Sequence, residues 1–173
     1  NELMQAGKVL AVGVSNFSLP QLEEFAEVCP ISAYQPHYNM LQREIEASHL
    51  PWCRAHDVSV MVYWVLLKGL LAGHLSRDDR FEPPDGRAKY PMFQGEEFQR
   101  NLDFVDALRP LARQAGLTVS QLVIAWTLAR PGISVALCGG RRPDQIRESA
   151  AAMGAGVAGD LLRRVDAAIA ARG

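Results

Sequence analysis

Val9-Leu10-Ala11-Val12-Gly13-Val14-Ser15-Asn16-Phe17-Ser18-Leu19-Pro20-Gln21 is the stretch from which the fold can be read. Residues 9–14 are apolar apart from one glycine. They read as a short strand buried on both faces, as in a covered parallel sheet. Ser18 then offers an N-cap, Pro20 sits in the first turn where proline is tolerated, and Gln21 stands three residues after the cap as a capping-box partner. Leu22, Phe25, Ala26 and Val28 supply an apolar stripe, and Pro30 ends the helix. A buried strand running at once into an amphipathic helix is the unit from which α/β folds are built.

The unit recurs along the chain. Residues 31–35 predict a second strand, followed by a turn at Pro36-His37-Tyr38-Asn39. Residues 48–56 predict a helix with Pro51 in its first turn. Residues 58–63 predict a third strand, and 66–75, with Gly69 and Gly73, a compact turn or short helix. Residues 76–95 are a charged stretch with Pro and Gly, a loop of roughly 20 residues; loops of that length are usually functional or disordered. Residues 96–115 show helical spacing through Phe98, Leu102, Val105, Leu108 and Leu111, with a kink expected at Pro110. Thr118 and Gln121 form a second capping box. It opens a helix to Arg130 with Leu122, Ala125, Trp126 and Ala129 on one face. Residues 133–137 predict the fourth strand, and 143–153 and 158–171 the last two helices. Strand–helix four times over implies parallel strands with right-handed crossovers, with residues 1–173 a single unit.

The composition narrows the class. The chain has 173 residues, 49% of them apolar, and a net charge of −1. It is globular rather than disordered and carries no electrostatic footprint for nucleic acid. No apolar run reaches the ~20 residues needed to cross a membrane, and no secretory leader pattern is visible. Cys29, Cys53 and Cys138 make neither a disulfide framework nor a zinc pattern. Reduced thiols in a cytoplasmic protein follow.

Cys138-Gly139-Gly140-Arg141-Arg142-Pro143-Asp144-Gln145-Ile146-Arg147-Glu148-Ser149 stands between the fourth strand and a helix. Glycines admit a ligand to the backbone. A helix N-terminus favours negative charge, and adjacent guanidiniums can form forked bonds to phosphate. A solvated surface turn fits the same residues.

Several separate stretches together resemble one family. Gly7-Lys8-Val9 with Gly13-Val14-Ser15-Asn16-Phe17 resembles the GK-x-x-x-x-GVSNF segment of the aldo-keto reductases. Tyr34-Gln35-Pro36-His37-Tyr38-Asn39 resembles a second segment. Tyr63, Leu66 and Lys68-Gly69-Leu70-Leu71-Ala72-Gly73 resemble a third, and Phe93-Gln94-Gly95-Glu96 with Arg100-Asn101 a fourth. Thr118, Gln121-Leu122 and Ala125-Trp126 follow in family order, and 138–149 completes the set. The resemblance implies half of a TIM-type (β/α)8 barrel, strands five to eight, from a family that moves hydride between NADPH and a carbonyl. A whole barrel takes ~250 residues.

By that resemblance Ser15, Asn16 and Gln35 hold the nicotinamide carboxamide, and Tyr63 stacks on its ring. Leu66 and Gly69 line the pyrophosphate, and residues 76–95 fold over it. Gly139, Arg141, Gln145, Glu148 and Ser149 hold the adenosine 2′-phosphate and adenine of NADP(H). Two departures stand out. Trp64-Val65 replaces the usual Ser-Pro, removing a phosphate donor and adding bulk, and Ser149 replaces an Asn that reads adenine with both a donor and an acceptor. The family's catalytic Asp, Tyr, Lys and His lie in the other half-barrel, so no residue here is assigned a catalytic role. His37 and Tyr38, at a strand end, fit ordinary variation. His49, His56 and His74 read as solvated, Trp52 and Trp126 as packing residues, and Asp78-Asp79 as a solvated loop.

A half-barrel leaves its first and last strands with open edges and its inner face as an exposed apolar patch. Self-association, with a dimer favoured, or pairing with a complementary half-barrel is the expected remedy. Three readings stay open: a truncated reductase-like protein with an NADP(H) half-site and little or no activity alone, a non-enzymatic self-associating scaffold, and the cofactor half of a reductase completed by another chain.

Overall fold

The structure is a computed structural model and describes residues 1–173. Four strands, β1 (Gly13–Ser15), β2 (Ala33–Gln35), β3 (Ser59–Val62) and β4 (Ile133–Ala136), form one sheet in chain order, every pair parallel. Seven α-helices accompany them: α1 (Glu2–Gln5), α2 (Leu19–Val28), α3 (His49–Ala55), α4 (Gly95–Gln114), α5 (Val119–Leu128), α6 (Pro143–Ala150) and α7 (Gly159–Arg172). The chain divides into two compact units, Asn1–Trp64 with Leu128–Leu137 and Val65–Thr127 with Cys138–Gly173.

The first unit holds the whole sheet. Its register places Val14 beside Tyr34, Tyr34 beside Val60 and Val60 beside Ile133, and this row is buried. The neighbouring positions, Gly13, Ser15, Ala33, Gln35 and Ser59, are small or polar. The open face is therefore not the apolar patch expected from sequence; Met61 and Val135, paired across β3 and β4, are its large apolar side chains. The strand expected over 9–14 is also shorter. Only Gly13–Ser15 pairs, Val14 is buried, and Leu10 is 93% exposed. The reason is coverage: one face of the sheet is open, and Leu10 lies outside the paired residues of β1. An apolar run means burial on both faces only where other layers cover both faces of the sheet.

Local signals held where they were chemical. Ser18 N–H donates to Gln21 Oε1 at 2.8 Å, closing the first capping box. Tyr34 is buried, and its hydroxyl donates to the Phe17 carbonyl at 2.8 Å, tying the strand–helix turn to β2. Burial, followed by the charges of Cys53 and Tyr63, pushes the Tyr34 hydroxyl up to about 12. His49 stacks on Tyr34 with ring centres 5.6 Å apart, which corrects the expectation that it is solvated. Cys29 and Cys53 are buried free thiols, and Cys138 is half-buried.

The second unit is helical. α4 and α7 pack together. Arg172 donates to Asn101 Oδ1 at 2.8 and 3.1 Å and pairs with Glu97. Asn101 is fully buried and donates to the Met92 carbonyl at 3.0 Å. α4 runs unbroken through Pro110. α5 is buried at Val119, Ser120 and every residue from Leu122 to Thr127, which exceeds the single face read from sequence. A mainly apolar helix buried on all sides belongs in an interior. Trp126 is fully buried, and its indole N–H donates to Asp166 at 2.8 Å.

Residues 76–95 are a built segment. Phe81 meets Phe93 and Phe98 edge-on at 5.2 and 5.6 Å, and the Arg87 guanidinium lies 4.1 Å over the Phe81 ring. Arg77 reaches Asp103 and Asp106 of α4 at 2.7 and 2.9 Å. Gly73 has φ +81, and a Cβ there would meet Val119 at 3.0 Å, so glycine is required for both conformation and space.

Candidate functional site

The residues singled out from sequence fall into two groups, one in each unit. The first lies at the C-terminal ends of β1, β2 and β3, the edge where parallel α/β folds build their sites. Ser15 closes β1, Gln35 closes β2, and the two are register partners. Tyr63 follows β3, and its N–H donates to the Pro36 carbonyl at 3.1 Å, prolonging the ladder by one step. The Ser15 hydroxyl is engaged by the Gln35 carbonyl at 2.7 Å. Asn16 takes a left-handed φ of 58°, a conformation asparagine tolerates better than most residues. The Tyr63 hydroxyl donates to Asn16 Oδ1 at 2.9 Å.

Around Tyr63 stand two rings that sequence did not assign to the site. Trp64 lies edge-on to it, 5.8 Å between centres, and His37 is 6.2 Å from both. Trp64 is held at a positive φ of 61°. In this structure its ring contacts Tyr63 and His37, on the strand-end side. Tyr38 is elsewhere: it is fully buried and its hydroxyl donates to Glu46. Burial, then the Glu46 hydrogen bond, drives that hydroxyl far above its ordinary value, so it is no strand-end acid. Burial alone would raise Glu46, but hydrogen bonds from Arg43 and Tyr38 outweigh it and hold the carboxyl low.

The second group spans the Leu66 turn and the 138–149 stretch. Leu67, Lys68 and Gly69 are consecutive left-handed residues with φ of 43, 53 and 94°. The Gly69 N–H donates to the Leu66 carbonyl at 2.9 Å, closing the turn on itself. The Lys68 ammonium lies 5.1 Å over the Tyr90 ring. In the second stretch much of the expected anion site is taken by its own side chains. Gln145 Oε1 accepts from Arg141 N–H at 2.8 Å and Arg142 N–H at 3.3 Å. The Arg142 guanidinium is bound to Asp144 at 3.0 Å, and this pair lowers the Asp144 carboxyl. Gln121 Nε2 donates to the Glu148 carbonyl at 3.3 Å; Glu148 and Ser149 are half-buried. Gly139 and Arg141 are exposed.

Sequence missed the contribution of Asp85. Hydrogen bonds from the Arg87 side chain and main chain hold its carboxyl down at about 2, with Arg141 adding its charge. Pro84-Asp85-Gly86 marked a turn, but nothing local linked it to position 141.

Within the first unit, the Asn16 and Gln35 side-chain amides are of a type that can pair with a carboxamide, and Tyr63 offers a flat ring. Within the second, Arg141 offers positive charge of the kind that meets a phosphate. The four parallel strands in chain order define half of a barrel.

The family model for the Aldo/keto reductase family matches residues 1–169, and the chain belongs to that family. Aldo-keto reductase YhdN of Bacillus subtilis is 40% identical over 146 residues, 84% of this chain and 44% of its own. The NADH-specific methylglyoxal reductase of Escherichia coli is 33% identical over 153 residues, 88% of this chain and 46% of its own. The solved structure of a glycerol dehydrogenase from Gluconobacter oxydans superposes with a TM-score of 0.93 at 34% identity, over 99% of this chain and 52% of that one. The chain thus spans about half the length of the relatives it matches.

Proposed function

We propose that this chain is the coenzyme-binding half of an NADP(H)-dependent carbonyl reductase. The nicotinamide end is assigned to Ser15, Asn16, Gln35 and Tyr63. The phosphate and adenine end is assigned to Leu66, Gly69, Gly139, Arg141, Gln145, Glu148 and Ser149. The observation that carries the reading is the placement of Ser15, Asn16, Gln35 and Tyr63 at adjacent strand ends, with Tyr63 bonded to Asn16. When bound, the coenzyme supplies the hydride. The chain's own residues bind and orient it, and the proton donor comes from a complementary half. Alone, the chain reduces carbonyls little or not at all.

The exposed edges β1 and β4 support association, with a second copy or with a complementary half-barrel. Free Cys29, Cys53 and Cys138 support a cytoplasmic setting. No helix is long and apolar enough to cross a membrane.

Titrating NADPH against the fluorescence of Trp64, beside Tyr63, tests the reading. Saturable quenching is expected. No response up to millimolar coenzyme overturns it. A second reading, a self-associating scaffold without coenzyme, is supported by the engagement of Arg142 and Gln145 within their own turn. A stable dimer whose melting temperature ignores NADPH selects it.

A further inference from the structure

We propose that a cleft in the second unit binds an organic cation, an ammonium group carried on an aromatic or apolar body. The cleft offers about 470 Å³ between the 79–82 stretch and the start of α4. Phe81, Phe93 and Phe98 form its apolar wall, and Asp79, Glu82 and Glu96 bring carboxylates to it. Every lining residue lies between 79 and 99, within one unit. None of them is assigned to the coenzyme above, and carboxylates repel phosphate.

The wall is firmly packed. Phe93 and Phe98 are 3% and 2% exposed, and Phe81 meets them edge-on at 5.2 and 5.6 Å. Ring faces of this kind attract cations. The segment already shows this chemistry once. The Arg87 guanidinium lies 4.1 Å over the Phe81 ring and is paired with Asp85 at 2.6 Å. There, an aromatic ring and a carboxylate hold a cation that the chain supplies itself.

The polar groups of the cleft decide the sign of its ligand. The amide donors are used within the chain. Gln94 Nε2 donates to the Ala88 carbonyl at 3.0 Å, and Gln99 Nε2 to the Arg77 carbonyl at 3.3 Å. The Arg80 guanidinium is turned to the carbonyls of Arg77 and Asp79 at 3.0 and 2.8 Å. Asp79 Oδ2 accepts from the Ser76 N–H at 2.9 Å. The Glu82 and Glu96 carboxylates take part in no ion pair or hydrogen bond. Glu97, next in the chain, is paired with Arg172 and Arg100. Three carboxylates face one guanidinium, so the cleft stays acidic even beside the positive end of α4. Its open acceptors require a charged donor, and its ring wall requires an apolar body. An arylalkyl ammonium has both.

The test titrates the full chain with phenethylammonium, followed by nuclear magnetic resonance shifts of the backbone amides. Neutral phenethyl alcohol and anionic phenylpropionate are the comparison ligands. The ammonium is expected to saturate, to shift amides of residues 79–82 and 93–99, and to bind about fivefold more tightly than the alcohol. Glu82→Gln and Glu96→Gln are each expected to weaken the ammonium by about two- to fivefold, the worth of an exposed charge pair, and to leave the alcohol unchanged. Added salt weakens the ammonium alone.

Equal binding of ammonium, alcohol and anion overturns the proposal, because the cleft would then read apolar bulk and not charge. So does a titration that fails to saturate, or one whose shifts fall outside the cleft. A chain carrying both Glu82→Gln and Glu96→Gln that binds the ammonium as the parent does also overturns it. The three-ligand comparison uses the parent chain, so it decides the question whatever a variant does to folding.

Discussion

The strand-end group and the Arg141 group use different physics. At the strand ends, Ser15, Asn16, Gln35 and Tyr63 are set by backbone pairing and by hydrogen bonds of 2.7 and 2.9 Å. Amide recognition fails beyond hydrogen-bond distance, so it requires a rigid frame. In the second group Arg141 is exposed, on a turn whose neighbours are engaged with one another. Charge acts over several ångströms and tolerates a looser frame. The neutral, amide-bearing group is built into the sheet, and the charged one is carried on a surface turn.

The largest expected effect tests whether the frame of the second unit is nonetheless firm. Trp126→Ala removes a fully buried ring and its bond to Asp166. It should cost about 3–5 kcal/mol, read by urea denaturation. A cost near zero would mean the helical unit is loosely packed.

Arg141→Ala should weaken NADPH by about tenfold or more, the loss of a charge-assisted contact, and leave NADH unchanged. The NADPH preference should also fade with added salt, because the group is exposed. Equal losses for both coenzymes would erase the distinction between a charge-reading end and an amide-reading end.

Tyr34→Phe tests the sheet side. Losing the bond to the Phe17 carbonyl should cost about 1 kcal/mol. The Tyr34 hydroxyl is raised from 10.0 to about 12. A raised value means the folded state prefers the protonated form. Its contribution is complete below pH 10 and is lost as pH rises through 12. Urea denaturation at rising alkaline pH should therefore show a shallower decline in the Phe variant than in the parent.

The smallest effect concerns Asp85, lowered from 3.8 to about 2 by Arg87. A depressed carboxyl contributes above its unfolded value and loses that contribution as pH falls through its folded one. Arg87→Ala should return the carboxyl toward 3.8, followed by nuclear magnetic resonance titration, with stability at neutral pH nearly unchanged. A carboxyl that stays low in the variant would mean that Arg141 sets its charge environment.

What was legible in the sequence was local. Ser18-Leu19-Pro20-Gln21 and Thr118 with Gln121 specified helix starts that the hydrogen bonds reproduce at 2.8 and 3.0 Å. These contacts span three residues and need no tertiary frame. Strand order followed from the strand–helix alternation. Ser15, Asn16, Gln35 and Tyr63 could be picked out because their segments kept the family's pattern.

Strand burial was decided only in the folded chain. Residues 9–14 read as a strand buried on both faces and 133–137 as a further apolar strand, yet β1 and β4 are edges, with Leu10 93% and Val135 38% exposed. Hydrophobicity states a preference for burial; the layers that cover each face and edge decide whether it is met. The same holds for chemistry at long sequence separation. The Tyr63 hydroxyl reaches Asn16 across 47 positions, and the charge of Arg141 reaches Asp85 across the second unit. The sequence by itself set the parts: strand, cap, turn and the residue types that can meet a coenzyme. The tertiary structure decided which of these parts meet, because contacts such as Tyr63 with Asn16 join segments far apart in the chain and exist only once the strands pair.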